Sequence, residues 1–314
     1  MSPYPRTMQG ARKRGARSER RDSAIDAAVR ALLRVALALP YRWRVPFLGW
    51  VAAQVVAPLA GWRTRVRENL AHVCPELSPA EVRRLERQVA DNSGRTLIET
   101  YSGQEFVDRM SKTPLTGAGV SDFEAARTAG RPVLFVTAHF GNFVAPRAAL
   151  IAKGHAIAGL YRPMRNEEFN THYTRALASI GEPIFPSTRR GLVELLQYLR
   201  AGGVVGMLID VYAKGGEPLT FFGHTAPTAL SAAQLALRYD ALLLPVYGIR
   251  QPDGLSFVVR IDAPVPHGDP RTMTQALNDS LEAVVREHMG QWFWIHRRWK
   301  PEPQRRRAAA KMGP

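Results

Sequence analysis

A chain of 314 residues with 43 Lys and Arg against 27 Asp and Glu carries a formal charge of +16, which points to an anionic partner: nucleic acid, acidic lipid or an acidic carrier protein. The single cysteine, Cys74, excludes an intrachain disulfide and reads as a small core hydrophobe. With 46% hydrophobic residues the chain has an ordinary globular composition and is long enough to bury a substantial core.

In chain order, residues 1–22 place Arg6, Arg12, Lys13, Arg14, Arg17, Arg20 and Arg21 against only Glu19 and Asp22, a pattern that predicts a disordered basic tail. Residues 304–314 form a second basic tail. Between them, residues 23–70 predict amphipathic and apolar helices. Arg30 and Arg34 lie on one helical face, whereas Leu32, Leu33, Ala36 and Leu37 lie on another, with Tyr41, Trp43, Trp50 and Trp62 following. This arrangement predicts a helix lying in a membrane interface. The competing reading is a helical hairpin packed on the protein's own core. The uncharged stretch 45–62 is short for a spanning helix and is interrupted by Pro46 and Pro58.

Residues 71–303 read as the main domain. A helix over 77–101 starts with Ser78 as N-cap, Pro79 at the first position and Glu81 placed for a capping box. From residue 131 the character changes: PVLFVTA (132–138), AIAGLY (156–161), VVGMLI (204–209) and LLLPVYGI (242–249) are continuous apolar runs, as expected of strands buried on both faces. Helical patterns at 143–153, 167–180, 190–201 and 229–239 separate them. A strand at SFVVRID (256–262) and a helix over 273–289 complete the pattern. The alternation predicts an α/β fold with a mainly parallel sheet flanked by helices, and with chemistry gathered beyond the carboxyl ends of the strands.

Three strand ends deliver polar groups: His139 ahead of Gly141-Asn142, Arg162 after AIAGLY, and Asp210 after VVGMLI. A histidine in that position suits a general base, and the backbone N–H groups beside Asn142, at the next helix start, suit a phosphate or oxyanion. No metal-ligand spacing, Gly-x-Ser-x-Gly elbow, GxGxxG or GxxxxGK[ST] motif is present, so metal, serine-hydrolase and nucleotide-cofactor readings find no support. The Trp-rich end QWFWIHRRWK has the composition of a single-stranded nucleic-acid platform, but core packing is the favoured reading, with His296 structural and no nucleic-acid partner.

HFGNF after a buried strand, YRPMRNEEFN, GLVELLQYLRAGG, VGMLID, PLTFFG and QWFWIHRRWKPEP, in that order, together resemble the lipid A biosynthesis acyltransferase family, to which phosphatidylinositol mannoside acyltransferases are related. The resemblance runs from about residue 32 to 303. It implies an O-acyl transfer from an acyl thioester on acyl carrier protein or CoA to a hydroxyl of a phosphorylated glycolipid, with no further cofactor. It also implies an anionic membrane surface at the cytoplasmic face of a bacterial inner membrane, approached in a peripheral or monotopic manner. His139 takes the place of the family's base. Arg162 matches a basic position suited to a phosphate, and Arg189 and Arg190 match a phosphate-binding segment more loosely.

One departure stands out. The family motif is His, four residues, then Asp or Glu, and here the acid position is Val144. Three readings stay open: Asp210 replaces the missing acid, the chain is a catalytically impaired lipid-binding homologue, or the valine sits in an otherwise active enzyme. An apolar cleft beside His139 is expected to take the acyl chain, lined by the Ala-Leu-rich helix after Thr228.

Overall fold

The computed structural model describes residues 16–164 and 166–299, so residues 1–15 and the basic segment from 304 lie outside it. Helix α1 (Ala16–Leu37) begins inside the stretch assigned above to the N-terminal tail. Helix α2 (Tyr41–Val51), a π-helical stretch over Ala52–Val56 and the short α3 (Ala57–Leu59) follow in line. Gly61, at φ 67°, then turns the chain by 85° into α4 (Trp62–Val73). Among the described residues no single helix is long and apolar enough to cross a membrane.

This N-terminal region has two sides. Tyr41, Val45 and Leu48 are buried, and α2 packs closely on α5 (Pro79–Tyr101), where a Cβ on Gly94 would fall 2.2 Å from the Leu48 carbonyl oxygen. Trp43 and Trp50, which share a face one heptad apart, remain 60% and 57% exposed, and Leu59 is 84% exposed. Trp62 instead packs edge-on against Phe293. The predicted capping box on α5 is present, with Ser78 Oγ accepting from the Glu81 N–H and the Glu81 carboxylate accepting from the Ser78 N–H.

Helix α6 (Gly103–Met110), strand β1 (Leu115–Thr116) and helix α7 (Val120–Thr128) lead to the central strand β2 (Val133–Thr137). There follow α8 (Ala145–Ala152), β3 (Ile157–Tyr161), α9 (Glu167–Ala178), the short β4 (Ile184–Pro186), α10 (Arg189–Arg200) and β5 (Val204–Leu208). An antiparallel hairpin, β6 (Glu217–Phe221) and β7 (His224–Thr228), stands apart. Then come α11 (Ser231–Tyr239), β8 (Leu242–Arg250), β9 (Phe257–Ile261) and α12 (Pro270–Glu287). The seven-stranded sheet has the order β1-β9-β8-β2-β5-β3-β4 and is parallel except where β8 meets β9. The long apolar runs became the inner strands. The edge pieces β1 and β4, of two and three residues, and the hairpin contain no long continuous apolar run, so the sequence reading does not include them as strands.

Strand alternation divides the core. Val133, Phe135, Val204 and Ile157 face α8, whereas Leu134, Val136, Val205 and Leu243 face α11 and α12 through Ala232, Ala233, Ala236 and Leu277. The second face is closed by small side chains packed tightly on the sheet.

Beneath the carboxyl end of β2 lies a buried polar network. Arg250 at the end of β8 grips Glu99 of α5 through two guanidinium bonds, Nη1 to Oε1 at 2.6 Å and Nη2 to Oε2 at 2.7 Å, and its Nε donates to Asn92 Oδ1 at 2.9 Å. Asn142 Nδ2 donates to Glu99 Oε2 at 2.8 Å, and Asn92 and Thr96 both donate to the Gly141 carbonyl. Both members of the ion pair are buried, so removing one charge strands the other. Glu99→Gln is expected to destabilise the fold by about 3–5 kcal/mol, read as a lowered midpoint in urea denaturation.

Candidate active site

The register of the two central strands brings the key residues together. Thr137 on β2 pairs with Leu208 on β5, so two residues further on His139 faces Asp210. The chain leaves β2 through Gly141, whose φ of 53° and separation of 1.9 Å between a built Cβ and the Gly248 carbonyl oxygen leave no room for a side chain. The Gly141 N–H donates to the Gln291 carbonyl, and the Phe293 N–H donates to the His139 carbonyl. The segment after α12 thereby runs alongside residues 139–141.

Asp210 is fully buried and saturated with donors. Its Oδ1 lies 2.9 Å from His139 Nδ1, while Oδ2 accepts from the His139 backbone N–H at 2.9 Å and from the Trp292 indole N–H at 3.0 Å. Burial disfavours its ionised form, but the charge and hydrogen bonds of His139 outweigh that and hold the carboxyl well below the usual carboxylate range. The carboxylate fixes the proton of His139 on Nδ1 and leaves Nε2 as the basic nitrogen. The His139 side chain is 29% exposed, enough to meet a substrate.

His139 stands at the mouth of a cavity of about 510 Å³. The cavity runs down the α8 face of the sheet, between β2, β5 and β3 on one side and α8 and α9 on the other. Phe135, Leu150, Ile157, Leu177 and Ile184 make it apolar, and Arg162, Met164 and Tyr212 also line it. Inside it Arg147 donates to the carbonyls of Ile157, Leu177 and Gly181, so this cation is held by the protein itself. Helix α11, the expected lining helix after Thr228, instead packs on the opposite face, with Ala232, Ala233 and Ala236 buried against the strands.

The other candidate residues separate. Arg162 lines the cavity and is exposed. Arg189 and Arg190 sit exposed at the start of α10 and do not line it, and Arg190 pairs with Glu194 one turn on. Asn142, a candidate substrate-binding residue from the sequence, turns its side chain inward: its amide donates to Glu99 and its oxygen accepts from the Val144 N–H, so the side chain shapes the loop. Val144 is buried at the N-cap of α8 and presents an apolar wall to the cavity.

Two participants escaped sequence reasoning. Trp292 is buried within the aromatic cluster of Phe221, Trp294 and Trp299, with its indole N–H spent on Asp210. His296, read above as structural, lines the cavity with its ring edge-on to His139 at 4.5 Å between centroids. Both lie in the QWFWIHRRWK string, whose aromatic and basic composition did not distinguish buried contacts from exposed ones. His139, Asp210 and His296 place ligand atoms within 4.8 Å of one another, close enough for a divalent ion to bridge, but a hydrogen bond already joins His139 to Asp210.

A His–Asp pair at the mouth of an apolar cavity, on the strand ends of an α/β sheet, marks an enzyme site shaped for a long apolar substrate. The family model of the bacterial lipid A biosynthesis acyltransferases matches residues 14–301, and the chain belongs to that family. It is therefore an acyltransferase. Relatives include the lipid A biosynthesis lauroyltransferase of Escherichia coli K12, 24% identical over 246 residues that cover 76% of this chain and 79% of the relative. The lipid A biosynthesis palmitoleoyltransferase of the same organism is 25% identical over 274 residues, covering 82% and 85%. A lipid A biosynthesis acyltransferase of Shigella flexneri matches to the same extent.

Burial, reinforced by the nearby His139 and opposed by Asp210, lowers His296 from its ordinary 6.5 to about 4. Below pH 6.5 the unfolded chain takes up a proton at this position that the folded chain refuses until about pH 4, so stability falls as pH drops through that window. His296→Gln is expected to remove on the order of 2–3 kcal/mol of the stability difference between pH 7 and pH 4.5, measured by urea denaturation at the two pH values.

Proposed function

We propose that this protein transfers a fatty acyl group from a thioester, on acyl carrier protein or CoA, to a hydroxyl of a phosphorylated glycolipid such as a lipid A precursor. The observation that carries the reading is the 2.9 Å contact between His139 Nδ1 and Asp210 Oδ1 at the cavity mouth. His139 Nε2 takes the proton of the acceptor hydroxyl as its oxygen attacks the thioester carbonyl carbon. The tetrahedral intermediate expels the thiolate, and the imidazolium returns the proton to the departing sulfur. Asp210 holds the ring and stabilises its cationic form, the part the motif assigns to the acid that Val144 replaces. Arg162 supplies a guanidinium for a phosphate of the acceptor or donor, and the cavity takes the acyl chain.

Asp210→Asn is expected to lower kcat by about ten-thousandfold, as loss of the orienting acid does in a Ser-His-Asp triad. The assay is transfer from acyl-carrier thioester to a lipid A precursor, with circular dichroism to check the fold. His139→Ala is expected to be inactive. Val144→Asp is expected to gain nothing, because Nδ1 already has its acid. Activity appearing only in Val144→Asp would instead mark the natural chain as a lipid-binding homologue.

The reaction's acceptor and product are membrane lipids, and the exposed Trp43, Trp50 and Leu59 offer an interfacial anchor at the bacterial inner membrane, with arginines for anionic headgroups. Trp43→Ala with Trp50→Ala is expected to reduce sedimentation with anionic vesicles several-fold while sparing the fold.

A further inference from the structure

Cross-strand register reveals how the cavity is kept open. On the α8 face, Thr137, Leu208 and Tyr161 form the row of side chains below His139 and Asp210. The next row down reads Phe135, Gly206, Gly159 and Ile184 across β2, β5, β3 and β4: Phe135 pairs with Gly206, Gly206 with Gly159, and Gly159 with Ile184. Two adjacent strands therefore carry glycine at the same level, and the carpet of side chains has a gap two residues wide. Below it, Val204 and Ile157 close the carpet again.

Glycine inside a strand weakens it and usually marks a bulge, a bend or a close approach of another backbone. None of these applies to Gly206. It lies in unbroken register with both neighbouring strands, its φ is not in the left-handed region, and a Cβ built on it would meet nothing nearer than the Ala158 carbonyl oxygen at 3.7 Å. At Gly248, by contrast, a Cβ would lie 2.5 Å from the Asn142 carbonyl oxygen. Gly159 leaves space for the Arg147 guanidinium, whose Nε would be 3.6 Å from a Cβ there. At Gly206 the free space is the cavity itself.

We infer that Gly206, with Gly159 beside it, sets the length of acyl chain the cavity admits. The glycine row is level with Phe135, four residues back from His139 and hence about 13 Å along the strand. At about 1.25 Å per carbon of an extended chain, roughly ten carbons reach it from the reacting carbonyl. Longer chains must cross the gap, so a side chain at Gly206 blocks them and leaves shorter ones unaffected. This inference rests on the acyl-transfer reading for its substrate but not for its geometry.

The test compares wild type with Gly206→Ala and Gly206→Val across saturated acyl thioesters from octanoyl to palmitoyl. A parallel measurement follows binding of the matching free fatty acids by calorimetry. The expected result is a change in preference toward shorter chains of about tenfold or more, graded from alanine to valine, with the shortest donors turned over as by wild type. A loss uniform across chain lengths, or an unchanged profile, would overturn the inference. If valine prevents folding, alanine carries the same comparison with one methyl. If wild type turns over no thioester, the acyl-transfer reading fails, and the length profile of fatty-acid binding still decides for or against Gly206.

Discussion

A carboxylate sealed from water has to find all its partners inside the protein, and the site follows from how Asp210 does so. Its donors come from two distant places in the chain: the backbone and ring of His139 beyond β2, and the indole of Trp292 after α12. Satisfying them ties the ends of β2 and β5 to the C-terminal segment. The aromatic cluster around Trp292 can then be understood as a scaffold that brings one N–H to one oxygen. The same burial that makes the charge costly keeps His139 in a single tautomer and orientation.

A second buried carboxylate, Glu99, organises the floor below. Its bidentate pairing with Arg250 and its bond from Asn142 connect α5, β8 and the loop after His139. The two acids divide the work. Glu99 anchors the 139–144 loop, and Asp210 holds the His139 ring on it. Val144 fits this division: with Nδ1 of His139 already engaged, an apolar residue at the start of α8 can serve the wall of the cavity.

Much of this was legible in the sequence because it depends on periodicity and order. The continuous apolar runs gave the inner strands, and polar groups directly after them gave His139, Arg162 and Asp210. Asp210 ends a strand on the same sheet edge as His139, so its candidacy as the replacement acid needed only topology. What sequence could not supply was side-chain direction. Asn142 stands in a turn beside His139 and yet points into the core. Arg189 and Arg190 begin a helix near the cavity yet point away from its lining. The face of the sheet that is hollow was also hidden, because the Ala-rich α11 looked suited to a cleft although small residues there let the helix settle flat on the strands. Trp292 and His296 come from a string in which most residues are aromatic or basic, so burial had to be seen before their roles could be separated.

The hollow face has a thermodynamic meaning of its own. Protein interiors are ordinarily packed as densely as organic crystals, with few voids larger than a water molecule. Here one side forgoes that packing along the length of the cavity, while the other retains it. A ligand that fills the space with methylenes supplies contacts that the chain's own side chains do not, and it binds only the folded state. The empty protein and the loaded one therefore differ in resistance to unfolding by an amount set by ligand concentration relative to its dissociation constant.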